Sequence, residues 1–575
     1  LSLPGGSDPD EAVLAAPYLR AIDDAGLPCL IFINRMDLPK GRVRDIVAAL
    51  QAYTNHSIVL RQVPIREGGQ VVGAVDLISE RAWRYREGQT SVLVEMPPDV
   101  SEREAEARAE LLESMSDFDD KLLEELIEDR APPSDVLYSI ARRETEGAAL
   151  IPAFLGAASH ANGVLRLMKA LRHEVPTVNV LKARLGQPDA IAVGFHAQIR
   201  KHLGKCVFLR AIGAGLAVGS PLAGAGLGGI AEIGGKAGQD RIEAGDIALS
   251  VKSDQLNAGH IFTAKGSLPL PAWARATPPA IARIVTPAED RDEVRLSTAL
   301  SRLGEADPML AISQDAETGH AVLGLQGPIH LRHVLAAFAD DFGVAVTARV
   351  TAPQYLETIS SPVEEQYRHR KQSGGAGQFA DIHVTIRPLS RGEGFRFDEV
   401  VKGGAVPRNF IPSVEEGARE ALSRGPLGFP VADLSVTLTD GKYHAVDSSD
   451  YAFRTAGRMA LREALPKAGP VLLQPIHRVD VHIPSIFAGA MVSLVASLSG
   501  QVLGFDRDPT HRGWDLFRAL LPVSALDDLA QALGSATQGT AWHESTFDHY
   551  EEVYGRDADR ISKDRLAALP AHAHA

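Results

Sequence analysis

The stretch "LTDGKYHAVDSSDYAFRTAGRMALREAL", residues 438–465, runs from a strand end into a tight polar turn and then into a long amphipathic helix. Gly441-Lys442-Tyr443-His444 makes a good hairpin tip, and Asp447 with Ser448 stands where a cap for a helix beginning near Tyr451 is expected. Two accounts of the turn are open: a capped helix start, or a projecting tip that carries planar and hydroxyl side chains to a partner. The surrounding sequence has to choose between them.

A chain of 575 residues holds several domains, and its apolar and charged fractions are those of ordinary globular protein. The formal charge of -14 argues against indiscriminate nucleic-acid coating, although it permits a local basic stretch such as Arg368-His369-Arg370-Lys371. No apolar run is long enough to span a bilayer, so no membrane is expected as partner. The opening "LSLPGGSDPDEAV" is neither a secretory signal nor a transit peptide, and it begins with Leu, as a fragment or processed product would. Cys29 and Cys206 lie in strand-like apolar contexts, which favours reduced core thiols and a cytoplasmic location.

Periodicity divides the chain. Residues 16–50 read as helix, strand, loop and helix, half of an open α/β sheet. Short strands follow over 57–95, then a charged helix in which Ser101 and Glu104 suggest a capping box. "GAALIPAFLGAASHANGVLRLMKAL" supplies one more strand, loop and helix, closing an α/β domain over 1–176 with an inserted subdomain. Alternating strands and Gly-rich turns over 188–276 predict a small β-barrel, and Pro-rich "LPLPAWARATPPA" marks its end. Three α+β domains are expected over 279–355, 356–474 and 475–555, with a frayed tail over 556–575. Its two histidines are too loosely placed for a metal site, and no metal is expected elsewhere.

"HRKQSGGAGQFADIHVTI" (369–386), "VVKGGAVPRNFIPSVEEGAREAL" (400–422) and the opening stretch succeed one another in the order and spacing of the fourth domain of elongation factor G, a family this chain resembles. "PVLLQPIHRVDVHIP" (470–484) and "ATQGTAWHESTFDHYEEV" (536–553) resemble that factor's fifth domain, and "LSTALSRLGEADPMLAISQDAETGHAVLGLQGPIHLRHVL" (296–335) its third. The resemblance implies multidomain α/β and α+β architecture: a partial P-loop-type GTPase domain, a β-barrel, and two ferredoxin-like domains flanking one like ribosomal protein S5. It implies a monomeric translation factor acting on the ribosome, with GTP or GDP and Mg²⁺ as cofactors of the intact protein.

Within that resemblance "FINRMD" is similar to the guanine-reading N-K-x-D motif. Asp37 would accept from the guanine ring and its exocyclic amine, Asn34 would brace the loop, and Arg35 stands where the family's lysine lies along the base. The family's G-S-A loop reads Gly156-Ala157-Ala158, so a serine hydroxyl is absent at Ala157 while the amide near Ala158 remains to face the base. A helix-entry loop is the competing account. No G-x-x-x-x-G-K-[ST] occurs in the sequence, so the chain as it stands is expected to hold neither the phosphates nor Mg²⁺, to contain no catalytic residue, and not to hydrolyse GTP alone.

The family's fourth domain reaches into the decoding centre among rRNA, tRNA and mRNA, and its tip residues match Gln378, Pro407, Arg408, His444, Asp447, Ser448 and Ser449. Tyr443 and His444 offer planar faces for stacking on bases, and the serines offer hydroxyls for sugar and backbone contacts. Departures recur: Arg-Arg-Gly appears as Leu498-Ser499-Gly500, the arginines flanking "TQG" as Gly534 and Thr540, and Gly-Glu-Leu-His as Gly327-Pro328-Ile329-His330. These point to a divergent paralogue. The expected role is GTP-dependent movement of tRNA and mRNA. The alternatives are a ribosome-binding paralogue without GTPase activity, or a GTPase of ribosome disassembly that works with a recycling factor.

Overall fold

The structure, a computed structural model, describes residues 8–38, 41–200, 203–234, 238–275, 277–315, 318–371 and 377–568. Gly374, Gly375 and Ala376 of the quoted stretch 369–386 and the two tail histidines lie outside them.

In the first domain α1 (Ala16–Ala25) leads into β1 (Ile31–Ile33), and α2 (Val43–Gln51) into β2 (Ser57–Leu60). An antiparallel sheet follows, β3 (Gln62–Glu67), β4 (Gln70–Asp76), β5 (Arg81–Arg86) and β6 (Gln89–Val94), then α3 (Pro98–Ser116), α4 (Asp120–Ile127) and α5 (Ser134–Glu146). The chain returns through β7 (Leu150–Leu155) and α6 (Val164–His173). β7 pairs in parallel with both β1 and β2, and every residue of β1 and β7 is buried, the continuous apolar pattern of a strand covered on both faces. Leu19, Ile46 and Leu50 close one side. The inserted sheet packs against α3–α5 through Val75, Leu111, Met115 and Leu137.

The expected capping box at Ser101 is not there. α3 begins at Pro98 with Pro97 at its N-cap, because a proline in the first turn forfeits only an N–H that has no helical partner. Ser101 is therefore inside the helix, and Glu104 faces inward, where desolvation pushes its carboxyl up.

After α7 (Val178–Leu185) comes a seven-stranded antiparallel sheet built from β8 (Ala192–Arg200), β9 (Gly204–Ala211), β10 (Gly229–Ala231), β11 (Gly238–Gln239), β12 (Ile247–Val251), β13 (His260–Phe262) and β14 (Ser267–Pro269). Its order is β11-β10-β12-β9-β8-β13-β14, and among the described residues the two outer strands do not pair to close it.

The next unit is β15 (Ile281–Pro287), α8 (Glu293–Ala306), β16 (Ala311–Gln314), β17 (Ala321–Leu325), α9 (Pro328–Phe342) and β18 (Val346–Val350). Its sheet order β16-β17-β15-β18 is the ferredoxin-like arrangement.

β19 (Leu356–Ile359) opens the tip-bearing unit: β20 (Val363–Lys371), β21 (Gln378–Pro388), β22 (Phe395–Glu399), α10 (Ile411–Leu422), β23 (Leu434–Lys442) and α11 (Asp450–Ala464). The sheet runs β20-β21-β23-β22, with β22 and β23 parallel across the α10 crossover. α10 and α11 cross so closely that a Cβ at Gly417 would lie 2.0 Å from Arg454 O, and one at Gly457 2.4 Å from Val414 O.

The last unit, β24 (Pro470–Pro484), α12 (Met491–Ser497), β25 (Gln501–Arg507), β26 (Trp514–Pro522), α13 (Leu526–Ala536) and β27 (Trp542–Val553), is again ferredoxin-like. β24 runs unbroken through residues 474 and 475, and β19 pairs with its start. The segment expected to fray is instead helix α14 (Gly555–Ala568), held because Arg565 donates to Gly428 O at 3.1 Å and covers the Phe429 ring. Cys29 and Cys206 are free and buried, and burial pushes both thiols up. Among the described residues no helix is long and apolar enough to cross a membrane, and no group of side chains could hold a metal ion.

Candidate functional sites

Two loops meet beside β1. Gly156 N–H donates to Ile33 O at 3.1 Å, Met36 N–H to Gly156 O at 3.0 Å, and Ala157 and Asn162 exchange backbone bonds of 3.0 Å. Gly156 is required here, since a Cβ would sit 2.3 Å from Asn162 O and 2.5 Å from the Phe32 ring. Asn34 Oδ1 accepts from Ala158 N–H at 2.9 Å, which stitches the two loops together. The Ala158 amide, expected to face a base, is thus donated to Asn34. Arg35 holds a left-handed φ of 57°, which turns Met36 into the core and leaves the arginine exposed.

Asp37 stands at the end of this turn. Its Oδ1 is buried and accepts from no group among the described residues, while Oδ2 lies 3.6 Å from His160 Nε2. His160 Nδ1 in turn is 3.7 Å from Glu87, at the tip of the β5–β6 hairpin. A buried carboxylate oxygen without a donor costs the desolvation of that atom, and a planar ligand with adjacent N–H groups removes the cost. The residues present therefore fit the edge of a guanine. They do not supply a phosphate cradle, since the sequence holds no such glycine-rich loop. His160 and Glu87 are not among the residues the sequence singles out; His160 stands within "GAASHANG", three residues beyond Ala157.

The second candidate is the outer edge of the β20–β23 sheet. His444 N–H donates to Ser448 Oγ at 2.9 Å, and that hydroxyl donates to Phe379 O at 2.8 Å. Phe379 N–H donates to Asp447 O at 2.8 Å. The N–H groups of Val446 and Asp447 both approach His444 Nδ1, at 3.4 and 3.2 Å. The same Nδ1 lies 3.2 Å from Asp447 Oδ2, so this turn holds the ring by its backbone and by a carboxylate. A Cβ at Gly377 would fall 2.5 Å from the Asp447 carboxylate, so Gly377 lets that side chain lie against the strand start.

The helix cap expected from Asp447 and Ser448 falls one residue later. Ser449 is the N-cap of α11, accepting from Ala452 N–H at 3.3 Å, because Ser448 is already engaged with His444 and Phe379. Gln378 Oε1 accepts from His369 Nε2 at 2.8 Å across the strand pair. Pro407 caps the short turn that carries exposed Arg408, and Val406 packs where a Cβ on Gly441 would sit, bringing the second loop against the first.

The basic stretch is half committed. Arg368 pairs at 2.7 Å with Asp381, which is fully buried, and His369 is spent on Gln378. Arg370 and Lys371 are exposed and form no ion pair among the described residues. Lys402, Arg408 and Lys442 are exposed alongside them, and Tyr443, Val446 and Tyr451 project at 51, 84 and 62 % exposure.

At two departing positions the structure has local uses for the residues present: Thr540 is buried and donates to Thr537 O, and Ser499 adopts a left-handed φ of 57° after α12. The retained His330 joins Asp307 at 2.8 Å.

Models of three domains match the chain: "Elongation Factor G, domain III" over residues 276–350, "Elongation factor G, domain IV" over 354–469 and "Elongation factor G C-terminus" over 471–561. An "Elongation factor G-like protein" of Synechocystis sp. is 35% identical over 565 residues, covering 97% of this chain and 84% of that protein. A crystal structure from Thermus thermophilus superposes with a TM-score of 0.80 at 29% identity, covering 95% of this chain and 82% of that one.

Proposed function

This chain belongs to the elongation factor G family, and from that premise we propose that it serves translation on the ribosome, reading a guanine nucleotide at the Asn34–Asp37 loop and lodging its outer tip among the RNAs of the decoding site. The single observation that carries this reading is the tip's construction. Its framework polar groups are satisfied by one another, while Tyr443, His444 and five cations remain turned outward. Bases stack on planar side chains and phosphates take cations, so such a surface suits folded RNA.

Asp37 would accept the ring and amine N–H groups of guanine, a pair that adenine does not present. Asn34 would hold the loop, Arg35 would lie along the base, and the Ala157–Ala158 backbone would border it. His444 would stack on a base or meet a phosphate, with Ser448 and Asp447 fixing its ring, Gln378 buttressing the neighbouring strand, and Pro407, Arg408 and Ser449 shaping the rim. GTP and Mg²⁺, when held by a complete phosphate site, would supply the γ-phosphate-dependent ordering that drives a switch.

The test is co-sedimentation with purified ribosomes at low and raised salt, then ribosome-stimulated GTP turnover and tRNA movement by the intact protein. Salt-sensitive binding with tRNA movement supports the reading. Turnover without tRNA movement, increased by a recycling factor, assigns it to subunit splitting. Absence of binding to either subunit refutes it.

A further inference from the structure

The first domain and the C-terminal sheet meet around one buried cation. Arg20, on α1, is 7% exposed. Its guanidinium lies 5.0 Å from the Trp514 ring centroid and 4.9 Å from that of Trp542. Nη1 donates to Asp508 Oδ2 at 2.9 Å and Nη2 approaches His482 Nδ1 at 3.2 Å. A second layer repeats the join: His511 reaches Asp24 at 2.7 Å through Nε2 and Asp508 at 3.3 Å through Nδ1. Asn55 Nδ2 donates to Thr510 O at 2.7 Å. Gly513 lies so near α2's end that a Cβ would be 2.5 Å from Ala52 O.

We propose that Arg20 is a positioning residue, clamping the C-terminal sheet to the base-reading domain and thereby fixing where the outer tip stands relative to Asp37. A guanidinium withdrawn from water is tolerated only with its counter-charge and flanking π faces in register, so this contact specifies one docking geometry where a merely apolar face would accept several. The environment bears the mark of that charge: burial lowers the His482 ring and Arg20 lowers it further. Burial alone would raise the Asp508 carboxyl, but bonds from Thr510 and the charges of Arg20 and His511 hold it well below the usual range.

The contact is also continuous with both candidate sites along the chain. α1 leads directly through β1 to Asn34. Trp514 and Trp542 open β26 and β27, both paired with β24 at Pro484 and His482. β24 follows α11 after a short turn, and α11 begins at the tip. Rigid elements thus join the two candidate sites through Arg20, and the clamp does not depend on what either site binds.

The experiment uses the full chain with spin labels at Leu165→Cys, on α6 beside the base loop, and Val446→Cys at the tip, both well exposed. Pulsed dipolar spectroscopy is run without nucleotide or ribosomes, so its outcome is separate from that of the functional reading. The expected result is one narrow distance distribution in the parent, about twofold broader or displaced in Arg20→Ala. Arg20→Lys, which keeps the charge and loses the planar stack, falls between. In Arg20→Ala the His482 titration also moves upward, and Arg20→Lys restores most of that shift. Should Arg20→Ala not fold, Asp508→Asn is measured in the same way and broadens the distribution. An identical distribution in the parent and in whichever of these variants is folded overturns the proposal.

Discussion

The loops at Asn34–Asp37 and Gly156–Asn162 and the outer tip are both pairs of turns stitched by hydrogen bonds, yet they leave opposite things unfinished. At the first, Asn34 closes the framework and a carboxylate oxygen of Asp37 is buried without a donor among the described residues. At the second, Ser448 closes the framework, and flat and cationic side chains project. An orphaned inward acceptor asks for a small ligand of matching donors. A satisfied framework with an unspent outer surface asks for a macromolecule. The same local chemistry is turned inward once and outward once.

The sharpest way to break this contrast is Asp37→Asn. Guanosine nucleotide binding is expected to fall about 100-fold, with xanthosine nucleotide binding rising in its place, because a carboxamide donor meets the carbonyl at that base's edge. Competitive equilibrium binding checks it, and equal loss for all purines would make Asp37 structural.

The joint beneath the tip gives the next effect. Glu357, on β19, is buried and accepts from Leu427 and Phe429 N–H at 3.0 and 2.8 Å. Burial pushes its carboxyl up to about 7, against the pull of those backbone donors and Gly428. A folded-state value raised above 4.5 contributes stability that is present below pH 4.5 and is lost as pH rises through 7. Wild type is expected to lose about 2 kcal/mol relative to Glu357→Gln between those limits. Denaturant melts across the range measure it, and parallel profiles would remove Glu357 from the account.

His444→Ala is expected to slow ribosomal movement about tenfold, the scale of one lost stacking contact, with nucleotide affinity and melting temperature unchanged. Coupled loss of all three would mean that the ring supports the fold instead. The smallest effect is at Ala157, where Ala157→Ser restores a hydroxyl beside the base and should tighten guanosine nucleotide binding about threefold. No change there would show that the backbone alone borders the base.

How much of this was legible depended on the range of the forces involved. Periodicity exposed β1 and β7 because both faces are buried, and the motif order exposed the tip unit because its turns and helix starts are local. The helix start at Pro98 was misplaced because two overlapping start signals, proline and a serine box, lay three residues apart. The Ser449 cap was misplaced because a contact from Phe379, distant in sequence, claims Ser448. α14 was taken for a tail because its hold on Phe429 spans well over a hundred residues, and the Arg20 clamp was invisible for the same reason. Neither leaves a local pattern. His160 gave no signal, since nothing in its sequence neighbours says that Asp37 lies opposite.

The central claim is that the projecting turn at Val446 enters ribosomal RNA. Cys29 and Cys206 are buried, so Val446→Cys offers the accessible thiol among the described residues for a tethered iron chelate that generates hydroxyl radicals. Bound to ribosomes, it is predicted to cut small-subunit RNA around the decoding site, while the same tether at Ile127→Cys, also exposed but on α4, leaves that RNA intact. Cleavage from both tethers alike, or from neither, would contradict the account.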